Sequence, residues 1–207
     1  MILEAVRRVE KRNALDVASR VLQRVSAVYR YAIQTGCTTY NPAADLVGSL
    51  KTRKVTHRAA LSRPELPDFI KKLETYDGQP ITRLALRLIV LTFVCSRELR
   101  GARWDEFDFE RAEWRIPAER MKITAEHIVP QRQAIAVLDE LRLFTGGYDL
   151  LFPNQNNITR PMSENTLLYA MYRMGYHSKA TVHGFRATAS TILNEIGFKA
   201  DVIERQL

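Results

Sequence analysis

Only two short segments of this chain read as β-strands, and each is closed by a proline: Glu113-Trp114-Arg115-Ile116-Pro117 and His127-Ile128-Val129-Pro130. Proline donates nothing to a strand ladder, so it holds such segments to a few residues or to a sheet edge. Almost everywhere else the apolar residues recur at helical spacing. Leu15, Ala18, Leu22, Val25, Tyr29 and Ala32 step alternately by three and four, one apolar stripe of a helix. A chain with so little sheet material must build its core from helix faces. The expected class is mainly α with a small antiparallel β-sheet, an α+β arrangement.

Capping signals divide the chain. Gly36 suits a helix end, and Asn41-Pro42 reads as an N-cap followed by proline at the first helical position, opening a short helix through Leu46. Residues 51–61 are basic and lack a sustained period, which predicts a linker between a helical segment over 1–50 and a second domain over 62–207. Ser62-Arg63-Pro64-Glu65 has capping-box spacing, and a helix should follow to about Leu73. Further helices are predicted over Ile81–Phe93, Gln131–Arg142, Ser163–Met174, His183–Ile196 and from Ala200 onward. The polar stretch from Ala118 to Glu126 should form a long turn between the two strands. Residues 147–149 and 153–157 read as loops.

Charge is distributed unevenly. Residues 1–60 carry eleven Lys/Arg against four Asp/Glu, an excess of seven out of the chain's net +8. A basic segment attracts a polyanion, duplex DNA above all, although a solvated basic face with no partner has the same composition. Arg20, Arg24 and Arg30 lie off the apolar stripe. Together with Lys51, Arg53, Lys54 and Arg58 of the linker they are the candidate phosphate contacts. No apolar run approaches the roughly 20 residues needed to span a bilayer. Arg7, Arg8, Lys11 and Arg12 make the start too charged for a secretory signal. Cys37 and Cys95 have no metal-type spacing, so free thiols in a reducing cytoplasm are expected. The sequence has no carboxylate pair or His cluster with ligand spacing, which argues against a metal nuclease.

Thr181-Val182-His183-Gly184-Phe185-Arg186 places His183 and Arg186 three apart, on one face of a helix. Alone this pair fits a capping histidine with a surface arginine as well as a site. Gly184 between them suggests a close backbone approach.

The order of the motifs is more specific than any one of them. Glu98-Leu99-Arg100-Gly101-Ala102-Arg103-Trp104-Asp105-Glu106-Phe107-Asp108 comes first. Ile116-Pro117-Ala118-Glu119-Arg120-Met121-Lys122 and His127-Ile128-Val129-Pro130 follow. Leu151-Phe152-Pro153, Met162-Ser163-Glu164-Asn165-Thr166 and His183-Gly184-Phe185-Arg186-Ala187-Thr188-Ala189-Ser190 complete the series. This series resembles the tyrosine recombinases, and within them the P4-type prophage and genomic-island integrases, over essentially the whole chain. The resemblance implies a catalytic domain of that type, preceded by part of a helical core-binding domain. It also implies site-specific DNA recombination and integration without a metal or cofactor, through a 3′-phosphotyrosyl link. The implied partner is duplex DNA at attachment sites, with homo-oligomers forming on it and no membrane or small-molecule substrate. The implied setting is the bacterial cytoplasm, at the nucleoid when bound.

By the same resemblance Arg186 matches an arginine that clamps the scissile phosphate, and His183 the histidine beside it. Lys122 matches the acid that protonates the leaving 5′-oxygen, and Glu98 an acidic partner of the first clamp arginine. Cys95 occupies the position of that first arginine. Arg97 lies two residues on, about 200° around a helix. A cysteine supplies no fixed bidentate positive charge. All eight tyrosines, from Tyr29 to Tyr176, precede His183, whereas the family's nucleophile follows it. The expectation is a chain shortened at both ends, or a decayed gene remnant, that binds DNA but is catalytically incomplete. The alternatives are a non-catalytic DNA-binding regulator, or a remnant that packs against an intact integrase.

Overall fold

The computed structural model describes residues 1–51, 59–121, 126–130 and 132–207. The chain divides into two compact units, Met1–His57 and Arg58–Leu207.

The first unit is a helical hairpin with a short tail. Helix α1 (Ile2–Lys11) and α2 (Leu15–Gln34) are joined at Asn13, which takes the left-handed conformation that asparagine tolerates (φ 59°). The stripe read from sequence faces inward on α2: Ala18 and Leu22 are buried, and Leu15, Val25, Tyr29 and Ala32 are half-buried. Helix α1 was not anticipated, because charged side chains dominate it. Its inward residues are only Val6, buried, and the half-buried Ile2 and Val9. Gly36 (φ 74°) ends the α2 region, where the Cys37 N–H donates to the Ala32 carbonyl at 2.7 Å. Asn41 braces the tail. Its Nδ2 donates to Ser26 Oγ at 3.0 Å, and its Oδ1 accepts the Ala43 N–H at 3.0 Å. The helix expected after it is a single 3-10 turn, Ala44–Leu46.

The second unit opens on the expected capping box. The Glu65 carboxylate accepts both the Ser62 N–H (2.8 Å) and its hydroxyl (2.6 Å), which holds Glu65 below the usual carboxylate pKa range. Helix α3 (Leu66–Glu74) follows, then α4 (Pro80–Thr92). Helix α4 buries residues on nearly every side, among them Leu84, Ala85, Leu86, Leu88 and Ile89. It is the central helix of the unit. It stops where Phe93 turns left-handed (φ 56°), a conformation costly for a bulky side chain. The short helix α5 (Ser96–Arg100) begins three residues later.

The sheet has three antiparallel strands in the order β1 (Phe107–Asp108), β2 (Glu113–Ile116), β3 (His127–Pro130). Trp114 pairs with Val129, and Ile116 with His127. Strand β1 is an addition to the two expected strands. Helix α6 spans Ile135–Thr145, starting and ending later than read from sequence. A small hairpin, β4 (Pro153–Asn154) and β5 (Asn157–Pro161), occupies part of the stretch read as loop. The remaining helices are α7 (Glu164–Arg173), α8 (Gly184–Glu195) and α9 (Ala200–Gln206). The core joins Phe69, Leu84, Trp114, Leu138, Phe152 and Phe185. One polar group sunk into it is doubly matched: Glu106 accepts the Trp114 indole N–H at 2.9 Å and a guanidinium N–H of Arg120, which also donates to the Glu98 carbonyl.

Candidate functional site

Helix α8 is held at its start by the backbone that enters the second unit. The Thr181 N–H donates to the Ala59 carbonyl at 3.1 Å, and the Thr188 hydroxyl donates to the Leu61 carbonyl at 2.6 Å. Between these ties a Cβ at position 184 would lie 2.4 Å from the Ala59 oxygen and 3.1 Å from Ala60 Cα. Only glycine fits there. Thr181 Oγ1 accepts the Gly184 N–H at 3.0 Å, satisfying one of the free donors of the first turn. The close approach inferred from Gly184 is therefore a helix start pinned under residues 59–60. His183 is the N-cap residue and is exposed. Arg186 lies one turn further on, half-buried.

The Arg186 side chain reaches across to the turn that ends α4. Its Nη1 lies 3.3 Å from the Phe93 carbonyl oxygen and 3.3 Å from Cys95 Sγ. Positions 95 and 186, 91 residues apart in sequence, thus meet side chain to side chain. Cys95 is the N-cap of α5. Its N–H donates to Glu98 Oε2 at 2.8 Å in a capping box. Glu98 is buried rather than lying on the surface, with its carboxylate turned back on the helix start. Arg97 points elsewhere. It is exposed and lines a separate hollow of about 430 Å³ with Arg100, Glu119, Arg120 and Glu164. Cys95 is the extended residue before α5 and Arg97 lies within it, so the two side chains are set by different backbone conformations.

One residue of this neighbourhood was read from sequence as part of a strand and of the motif series, with no role in the site. His127, at the start of β3, is within electrostatic reach of Glu98 and Arg186 and of the backbone of Arg205 on α9. Burial holds its pKa below the usual histidine value. Glu98 pulls it up, Arg186 pushes it down, and the Arg205 backbone pulls it up. Its Nε2 is buried without a hydrogen-bond partner among the described residues. No spacing rule singles it out: the nearest candidate in sequence is Lys122, five residues back.

Lys122, Arg53, Lys54 and Arg58 lie outside the described residues. Arg20, Arg24 and Arg30 are exposed along α2, and Arg20 lies 3.8 Å from Asp16 one turn earlier. Lys51 is exposed, and its N–H donates to Glu10 Oε1 at 2.7 Å. Among the described residues no group of three or more His, Cys, Asp or Glu could hold a metal ion, and no helix is long and apolar enough to cross a membrane.

Chemically, the Arg186 guanidinium offers further N–H donors beyond the one nitrogen engaged with Phe93 and Cys95, in a fork that matches an oxyanion.

Comparison with known proteins matches two family models. Residues 1–49 match the phage integrase central domain, and residues 59–207 match the phage integrase family. The integrase of Enterobacteria phage P4 is 45% identical, covering 100% of this chain and 51% of that protein. Putative protein IntB of Escherichia coli is 40% identical, covering 100% and 56%. The chain spans about half the length of the curated relatives it matches. Among solved structures, the Tn1549 transposon integrase in complex with a circular-intermediate DNA superposes with a TM-score of 0.80 at 15% identity, covering 99% of this chain and 75% of that one. A lambda integrase dimer bound to a COC′ core site gives 0.73 at 17% identity, covering 100% and 76%. At that identity the likeness concerns the fold.

Proposed function

The chain belongs to the phage integrase family, and from that membership we propose that it is the DNA-gripping portion of a site-specific tyrosine recombinase. Its partner is duplex DNA at an attachment site, in the bacterial cytoplasm where that DNA lies. The second unit holds the scissile phosphate with Arg186, whose guanidinium stabilises the charge that develops on the phosphorus oxygens. His183 assists the proton of the attacking group, and Lys122 protonates the leaving 5′-oxygen. The first unit supplies phosphate contacts through Arg20, Arg24 and Arg30, with Lys51, Arg53, Lys54 and Arg58 continuing the basic stretch.

The observation that carries this reading is the 3.3 Å approach of Arg186 Nη1 to Cys95 Sγ. The resemblance pairs these two positions as the arginines that grip one phosphate, and they adjoin. With cysteine at 95, the grip has one guanidinium instead of two. None of the eight tyrosines in this sequence is assigned as the nucleophile, so these 207 residues bind duplex without forming a covalent link to it.

A fluorescence-anisotropy titration against duplex DNA over a salt series tests this. The unaltered chain should bind with a steep negative salt slope. Arg186→Ala should weaken binding and reduce the slope by about one, the signature of a single lost phosphate contact. Cys95→Arg should do the reverse. A phosphotyrosyl adduct formed by these 207 residues, or binding indifferent to both substitutions, would contradict the proposal.

A further inference from the structure

A buried polar atom without a partner calls for an explanation, since nearly all such atoms in folded proteins are satisfied. His127 Nε2 is one. The Arg205 backbone and the side chains of Glu98 and Arg186 are its polar neighbours. With the ring proton on Nδ1, Nε2 is a lone-pair acceptor. The missing partner must be a donor. Of the two charged side chains within electrostatic reach, Glu98 on α5 is a carboxylate and offers none. Arg186 on α8 is a guanidinium, and its contacts with Phe93 and Cys95 engage Nη1 only.

We propose that His127 is a positioning residue for the phosphate grip: its Nε2 accepts a hydrogen bond from the Arg186 guanidinium when that side chain turns from Phe93 and Cys95 towards a phosphate. The inference rests on the functional reading above. It gives Arg186 a second resting point. In the free chain the guanidinium leans on the α4–α5 turn. In the bound state one edge rests on His127 while the other faces the phosphate oxygens. Burial favours the neutral imidazole, the form that accepts. A protonated ring beside Arg186 would donate where it should accept and would repel the guanidinium. The arrangement matters more in this chain than in one with arginine at 95, because a lone guanidinium has no twin to fix its orientation.

The test is a double-mutant cycle read by duplex binding, with thermal melting of each variant to confirm the fold. His127→Leu should weaken binding roughly tenfold, the effect of one lost hydrogen bond to a charged group. In an Arg186→Ala background the same change should cost nothing further. His127→Gln keeps an acceptor near the Nε2 position and should restore most of the affinity. Equal binding by His127→Leu, the same loss in both backgrounds, or a Gln variant no better than Leu would each overturn the proposal. If His127→Leu fails to fold, imidazole ¹⁵N resonances of the unaltered chain decide. Nε2 should be unprotonated in the free chain and shift on addition of duplex, and a protonated or unmoved Nε2 overturns the assignment. Failure of the unaltered chain to bind duplex would remove the functional reading itself. Binding that depends on Arg186 but not on His127 would remove only this inference.

Discussion

The two units are both helical, yet their cores are built on different scales. Among the described residues the first rests on four buried apolar ones, Val6, Ala18, Leu22 and Ala43, with a fringe of half-buried ones. The second closes over a continuous cluster that includes Phe69, Trp114, Phe152 and Phe185 and accommodates a buried carboxylate network at Glu106 and Arg120. A small unit buries a smaller fraction of its surface, so the first has little apolar burial to set against chain entropy. The sequence over residues 1–60 instead carries an excess of seven out of the chain's net +8. The second unit has burial to spare, and it is the one that presents fixed polar geometry. Electrostatic grip needs only exposed charge on a simple frame, whereas positioning Arg186 against Cys95 needs a frame that does not yield.

Matched truncations would test that contrast most sharply. Leu84→Ala in the second unit should destabilise it by about 3–5 kcal/mol, because α4 is packed on nearly every side and the cavity cannot collapse. Leu22→Ala in the first should cost nearer 2 kcal/mol, since its neighbours are half-exposed and can close in. Denaturant unfolding followed separately in each unit would measure both, and equal costs would break the comparison. Glu106→Ala comes next. It leaves Arg120 Nη1 and the Trp114 indole N–H without their acceptor, a loss of about 2–3 kcal/mol once the partial exposure of Arg120 and its remaining bond to the Glu98 carbonyl are allowed for. Gly184→Ala forces the backbone at 59–60 to shift and should cost about 1–3 kcal/mol. It should also weaken duplex binding, because Arg186 moves with the helix start. The smallest effect on stability, within about 0.5 kcal/mol, is expected for the double change Arg24→Ala and Arg30→Ala. Its salt slope of duplex binding should nevertheless fall by roughly two. If that pair altered stability and left binding unchanged, the division of labour between the units would be wrong.

What could be read from the sequence follows the same physical divide. The α2 stripe, the Ser62–Glu65 capping box and the central strand pair were legible because periodicity and caps are local. Helix α1 was hidden because charged residues outnumber its few inward side chains. Strand β5 was hidden because all five of its residues are exposed, so no alternation marks it. Strand β1 is two residues long, too short for any period. In the site, the helix bearing His183 and Arg186 was legible from spacing. Its meeting with Cys95 was implied only by resemblance, because local pattern carries no information about contacts 91 residues apart. The place of His127 in the site was not legible at all: in a strand its residue type and spacing say only which way it faces.

The glycine at 184 and the cysteine at 95 bear differently on how such a sequence can drift. Position 184 admits no side chain, so the start of α8, and with it the register of Arg186, is closed to gradual change. At position 95 the main-chain N–H serves the Glu98 carboxylate, whatever the side chain. A lineage could therefore exchange the residue at 95, arginine to cysteine or back, without unpicking the helix that follows. On the proposed reading of the site, the half of a phosphate grip that lies at position 95 is restored by a single substitution, while the half at Arg186 sits in a frame that mutation can only break.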